Sequence, residues 1–245
     1  MSGHSKWATI KHRKGAADAK RGKLFAKLIK QVEVAARSGG GDLDANPTLR
    51  TMFQKARDNS VPLDTIERAV KRGTGELEGI NYEQITYEGY APGGIALLIE
   101  CLTDNRNRTS SEVRSTLTKH GGSLAEPGAV SWQFERKGVV LVPIAVDEEE
   151  LMMVTVDAGA QDIVDEGEIW RIITAPGDLN GVREALDEAE ISVEYADLTM
   201  LPTATVEVAD VGTQKKTLHL LDLLDDLDDV QDVQDNLARY LDEVE

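Results

Sequence analysis

A chain of 245 residues with a 41% hydrophobic share suits one large domain or two or three small ones, and its 4% aromatic content leaves core packing to Leu, Val, Ile and Ala. A net charge of −17 would exclude a polyanionic partner if it were spread evenly. It is not: residues 1–75 hold 16 Lys/Arg against 7 Asp/Glu, a net of +9, while residues 76–245 hold 11 against 37, a net of −26. Salt screens over roughly 8 Å, so a separated basic lobe keeps its own field and points to nucleic acid or another anionic surface.

Residues 1–15 read as a basic arm. From Ala17 to Arg37 the pattern is helical, with Phe25, Leu28, Ile29, Val32 and Ala36 on one apolar stripe and Lys20, Lys23, Lys27 and Lys30 on the opposite one. Asn46-Pro47 opens a second helix with Leu49, Met52, Phe53 and Ala56 inward. Asp64-x-x-Glu67 opens a third with Ile66, Ala69 and Val70 inward. These make a three-helix unit that is basic outside, followed by the linker Gly73–Gly79. Strands are then expected at 84–90 and 95–102 around Pro92-Gly93-Gly94, at 130–134, 139–142, 169–174 and 192–200, and at 230–234, with 205–208 extended. Helices are expected at 109–120, 147–156, 178–190 and 215–227. Strands and helices alternate in two clusters, which favours two α+β sandwiches with antiparallel or mixed sheets over a doubly wound parallel sheet.

Cys101 is the only cysteine and sits in the apolar run Ile95–Leu102, so it reads as a small buried strand residue and excludes an internal disulfide or a cysteine-based metal cluster. No run reaches membrane-spanning length and Met1–Trp7 lacks a signal peptide's apolar stretch, so a cytoplasmic location and no membrane partner are expected. Walker, Rossmann, nucleophile-elbow and zinc patterns are absent. His4, His12, His120 and His219 lack metal-ligand spacing, and the aspartates from Asp222 to Asp235 lack the glycine and terminal glutamate of a calcium loop. They read as a solvated acidic face. No catalytic residue, metal or cofactor is expected.

The arm and first helix carry the strongest physical signal: residues 1–37 hold ten Lys/Arg against two acids. Such cations neutralise phosphates and release counterions, which gives sequence-independent affinity. Trp7, among Lys6, Lys11, His12, Arg13 and Lys14, adds a stacking surface for an unpaired base. The expected contact set is these six residues with Lys20, Arg21, Lys23, Lys27 and Lys30, extended by Arg68, Lys71 and Arg72 of the third helix.

Gly3-His-Ser-Lys-Trp7, continuing through Ile10–Lys23, closely resembles the opening of the YebC/PmpR family, which includes the mitochondrial translational activator of cytochrome c oxidase. Ile66–Gly75, Tyr87–Gly94, Thr103–Thr109 and Gly128–Phe134 also resemble it, so residues 1–142 match strongly and the rest by element order. Thr9 and Ala91 depart from the usual Asn and Gly; the second was expected to stiffen a hairpin tip. The resemblance implies an α+β protein of three domains: a basic helical domain over 1–77, a middle α+β domain over 78–136 plus 203–245, and an α+β domain over 137–202 inserted into it. It also implies a non-enzymatic regulator of gene expression. One reading is a DNA-binding transcriptional regulator, although no helix-turn-helix reading unit is obvious. The other is a ribosome-associated translation factor on ribosomal RNA, which suits a basic arm with one tryptophan. A metal-dependent hydrolase or nuclease, the third, has no residue constellation behind it.

Overall fold

The structure, a computed structural model, describes residues 18–238, with side chains from Arg21 onward. Helices α1 (Asp18–Gly39), α2 (Pro47–Asp58) and α3 (Leu63–Gly73) form the first unit. The apolar stripe of α1 dictates the packing. Leu28, Val32 and Ala36 are buried with Leu49 and Ala56 of α2 and with Ile66 and Ala69 of α3; Phe25, Ile29, Met52 and Phe53 lean on the same cluster. The Asn46 carboxamide oxygen accepts from the Leu49 amide at 3.0 Å, and its nitrogen donates to the Ala35 and Gly40 carbonyls at 2.9 and 2.8 Å. One side chain therefore caps α2 and ties it to the end of α1. Gly73 sets the approach of α3 to α1, because a Cβ there would lie 2.4 Å from the Glu33 carbonyl oxygen.

The chain continues as β1 (Glu83–Ala91), β2 (Ile95–Thr103), α4 (Arg106–Lys119), β3 (Ser123–Leu124), β4 (Phe134–Pro143), α5 (Glu148–Thr155), β5 (Ala160–Asp165), β6 (Ile169–Thr174), α6 (Leu179–Glu188), β7 (Tyr195–Pro202), α7 (Val211–Asp225) and β8 (Val230–Asp235). Two antiparallel sheets result, in the orders β3-β1-β2-β8 and β5-β6-β4-β7. The second sheet lies wholly within 134–202. The chain leaves the first sheet to build it, then returns through Val206, which bridges to Leu237, and adds α7 and β8. The fold is thus α+β, with a helical domain, a middle sandwich and a sandwich inserted into the middle one.

Strand β2 is buried on both faces, which explains an apolar run interrupted only by the partly exposed Glu100. Ile95, Leu97, Ile99 and Cys101 meet Val113 and Leu117 of α4 and Leu220 and Leu224 of α7. Ala96 and Leu98 meet Val130 and Phe134 on the other side. Burial pushes the Cys101 thiol up to about 12, so it stays protonated and inert. In the inserted domain α5 and α6 cover one face through Leu151, Val182 and Leu186 against Val140, Val142 and Ile172.

Some local expectations differ. The strand expected at 130–134 is a short 3-10 turn, Ser131–Gln133. Its cause is Glu88, whose buried carboxylate accepts from the amides of Gly128, Val130 and Ser131 at 2.6, 2.6 and 3.0 Å and bends the chain away from a ladder. Strand β4 then starts at Phe134, earlier than expected. Strand β5 was not anticipated: Ala-Gln-Asp-Ile-Val-Asp has too little alternation, and its polar residues suit a sheet edge. Helix α7 begins at Val211 because the Asp210 carboxylate accepts from the Thr213 amide at 2.7 Å. Ala91 ends β1 with φ −90° and ψ 171°, an extended backbone open to alanine, while Gly93 and Gly94 alone take the positive φ of the hairpin tip.

Candidate nucleic-acid interface

Of the expected contact residues, Lys6, Trp7, Lys11, His12, Arg13 and Lys14 lie outside the described residues, as does the side chain of Lys20. The others sit on α1 and α3. Arg21 is exposed at the start of α1. On α3, Arg68 and Lys71 are exposed, and Arg68 reaches the Asp64 carboxylate one turn back at 3.6 Å. Arg72 instead turns inward. Its Nε donates to the buried Glu33 carboxylate at 2.8 Å, and Glu33 also accepts from Arg37 at 3.3 Å and from the Ile80 amide at 3.2 Å. Arg37 donates onward to the Ile80 carbonyl at 2.5 Å. This network fastens the linker that follows α3 back onto α1.

Lys23, Lys27 and Lys30 do lie opposite the apolar stripe, but they reach the middle domain, with Lys23 still about half exposed. Lys23 Nζ donates to the Asp226 carbonyl at 2.8 Å and lies 3.7 Å from its carboxylate. Lys27 Nζ donates to the Asp225 carbonyl at 2.7 Å and to its carboxylate at 3.0 Å. Lys30 Nζ donates to the Asp228 carbonyl at 2.9 Å and to the Asp229 carboxylate at 3.1 Å, with its ammonium 5.5 Å from the centre of the Tyr82 ring. The side chains of Lys27 and Lys30 are only 12% and 18% exposed. A phosphate could reach them only after the aspartates left. The acidic stretch is therefore not a solvated face along its whole length. Its turn at 225–229, where α7 ends, is the counter-surface of α1.

Asp229 is the hub of this contact and was missed by sequence reasoning. Its carboxylate accepts from Arg108 at 2.6 Å and from the hydroxyls of Thr103 and Thr109 at 3.0 and 2.8 Å, besides Lys30. Burial pushes its pKa up, but the hydrogen bonds from Arg108, Thr109 and Lys30 outweigh that and hold it at about 2. Arg108 also donates to Asp104 at 2.8 Å. These groups line a cleft of about 620 Å³ between the helical and middle domains, where Lys23, Lys30, Tyr82, Asp104, Arg108 and Glu112 face the acidic turn. The available signal was the run Thr103-Asp-Asn-Arg-Asn-Arg-Thr109, which carries three of the four groups around Asp229.

A second set of ion pairs joins α2 to the inserted domain. Lys55 donates to Asp197, and Arg183 reaches Asp58 at 3.3 Å. No group of three or more His, Cys, Asp or Glu able to hold a metal ion occurs among the described residues, and no described helix is long and apolar enough to cross a membrane. His120 and His219 pack edge to face, with ring centres 5.5 Å apart, at the surface of the middle domain.

Family models match nearly the whole chain. Residues 5–76 match the TACO1/YebC protein N-terminal domain, and residues 82–237 match the TACO1/YebC second and third domain. A protein named "Probable transcriptional regulatory protein" from Halothermothrix orenii is 54% identical over 225 residues, covering 91% of this chain and 89% of the relative. One of the same name from Thermobifida fusca is 56% identical over 224 residues, covering 91% and 90%. The crystal structure of a conserved hypothetical protein from Aquifex aeolicus matches with a TM-score of 0.84 at 47% identity, over 91% of this chain and 93% of that one.

Proposed function

Because the chain belongs to the TACO1/YebC family, we propose that it is a nucleic-acid-binding regulator of gene expression, acting on transcription by contacting DNA through its N-terminal domain. The observation that carries this reading is the separation of charge. A helical domain with its own apolar core holds most of the basic excess, and the two sandwiches behind it are acidic. The names of the relatives agree with it. The reading assigns binding to the protein and no catalytic step. The first contact falls to the arm, to Arg21, and to Arg68 and Lys71 on the exposed side of α3. These cations neutralise phosphates whatever the base sequence.

A second reading, a translation factor on ribosomal RNA, draws support from the helical domain itself. The exposed side of α3 mixes Asp64 and Glu67 with Arg68 and Lys71, and Lys27 and Lys30 on α1 are covered. Neither is the open basic helix that reads a DNA major groove; RNA read by shape and by splayed bases needs none. Crosslinking in living cells, followed by sequencing of both the DNA and the RNA recovered, separates the two. Discrete promoter peaks are the expected result. Enrichment of ribosomal RNA without promoter peaks replaces the first reading by the second.

A further inference from the structure

Three lysines, one helical turn apart, meet acceptors at Asp225, Asp226, Asp228 and Asp229 on the turn that ends α7. Each ammonium takes a main-chain carbonyl together with, or close to, a carboxylate. The last carbonyls of a helix lack intrahelical donors and carry the negative end of its dipole, so those of Asp225 and Asp226 at the end of α7 add to the aspartate charges, and the Asp228 carbonyl follows in the turn beyond. To the lysine face of α1, the turn presents a short row of closely spaced anionic oxygens. That is the chemistry of a phosphate backbone.

The contact is also built to open. Among the described residues no apolar cluster spans the boundary: the helical core draws on residues 25–70, and the other clusters on residues from Tyr87 onward. Ion pairs and hydrogen bonds cross it instead: those of Lys23, Lys27 and Lys30, and on the other side Lys55 with Asp197 and Arg183 with Asp58. Such groups hydrate on separation, so parting the domains exposes little apolar surface, as in reversible domain interfaces. Pairing near the contact is incomplete. Gln31 Oε1, one turn beyond Lys27, and both amide atoms of Gln231, two residues beyond Asp229, are buried without a hydrogen-bond partner. Glu33 and its arginines hold the helical domain and its linker together independently of this contact, so the domain moves as one body.

We infer that the acidic turn at 225–229 is an intramolecular stand-in for nucleic acid: phosphate backbone and turn compete for Lys23, Lys27 and Lys30, and the helical domain leaves the middle domain when the backbone wins. This inference rests on the nucleic-acid reading and adds its regulation. The turn covers Lys27 and Lys30 against weak or small anions and partners the half-exposed Lys23. A duplex, with one charge per roughly 1.7 Å of axis, displaces it once the arm and the exposed cations of α3 have docked. The covered lysines thus act as a threshold that selects dense, extended polyanions over the acidic surfaces of other proteins.

The test uses the full chain, a short duplex DNA and a hairpin RNA of equal length. In the variant Asp225→Asn/Asp226→Asn/Asp228→Asn, with Asp229 kept because it also holds Arg108 and the two threonines, the turn loses three of its four carboxylates, keeps the Lys30–Asp229 pair and keeps its shape. Affinity for the better of the two probes is expected to rise roughly fivefold at fixed salt, the size that loss of two partly exposed ion pairs, Lys23–Asp226 and Lys27–Asp225, allows. Independently of that variant, dyes on Ser38→Cys and Lys119→Cys report the distance between domains, since the buried Cys101 does not label. Energy transfer is expected to fall when the probe binds. If the protein binds a probe while transfer and the variant's affinity stay unchanged, the competition is overturned and the nucleic-acid reading stands. If neither protein binds either probe, both are overturned.

Discussion

Two buried carboxylates on either side of α1 do the same chemistry with opposite consequences. Glu33 accepts from Arg72, Arg37 and the Ile80 amide, all within one domain. Asp229 accepts from Arg108, Thr103 and Thr109 of its own domain and from Lys30 of the neighbouring one. Both carboxylates are buried and charge-paired with cations that reach the surface. Glu33 closes a fold; Asp229 fastens two folds together. A paired buried carboxylate therefore does not reveal whether it serves stability or assembly. The origin of its donors does.

The largest expected effect breaks the first member of the pair. Glu33→Ala leaves Arg72 and the Ile80 amide without their acceptor, and loss of one partner of a buried ion pair costs about 4 kcal/mol. Amide exchange should accelerate throughout α1, α2 and α3 and leave β1, β2 and β8 slow. Protection that falls equally in both regions would mean that the helical domain does not hold itself together. Asp229→Asn, at about 3 kcal/mol on the same reasoning, should do the reverse: α4 and β8 lose protection and the domains part, while the core around Leu28 and Ile66 stays protected. The distance between dyes at Ser38→Cys and Lys119→Cys measures the parting.

Acid makes the same comparison without mutation. An aspartate in an unfolded chain titrates near pH 3.9, and Asp229 is held at about 2. Its folded pKa is depressed, so its stabilisation is complete above the unfolded value and is lost as pH falls from about 4 through about 2. The amount at stake is about 2.5 kcal/mol. Energy transfer between the domains should therefore drop in that window, and in Asp229→Asn the drop should be blunted. Acid-induced separation of the same size in the variant would assign the effect to other carboxylates.

The helical domain was legible in the sequence because its signals are local. The i, i+3, i+4 stripe from Phe25 to Ala36 and the Asn46-Pro47 start each lie within one element and sit on the expected helix; the third helix also forms where expected, but it starts at Leu63 after Pro62 with no side-chain cap, so Asp64 lies in its first turn and does not open it as a capping-box residue would. The run Ile95–Leu102, polar only at Glu100, was equally readable as a buried strand. The turn at Ser131–Gln133 was not, since Glu88 causes it from more than forty residues away. The candidate site failed to read for the same reason. Amphipathicity says that Lys23, Lys27 and Lys30 oppose the apolar stripe; it does not say what they meet. Their partners lie about two hundred residues on, |i−j| being 198 to 203, in a stretch whose charge by itself reads as a solvated surface. Acidic and basic segments of one chain, each assigned to solvent, are candidates for each other.

The smallest effect on stability should accompany the clearest effect on binding. Arg68 and Lys71 are exposed on α3, and the Arg68 contact with Asp64 is a surface pair. Replacing both by Ala should change stability by no more than about 0.5 kcal/mol. If they touch phosphates, the double variant should weaken binding about equally for all sequences and flatten the dependence of log K on log salt by about 1 per lost contact. The double variant also weighs the two sides of the helical domain against each other. If the flattening appears in the wild-type background and is matched by Lys27→Ala only after Asp225, Asp226 and Asp228 are neutralised, the face of α3 is the standing contact and the face of α1 the conditional one. If Lys27→Ala flattens the slope in the wild-type background as well, the lysine stripe is already available to nucleic acid, and the distinction between an open and a covered basic face disappears.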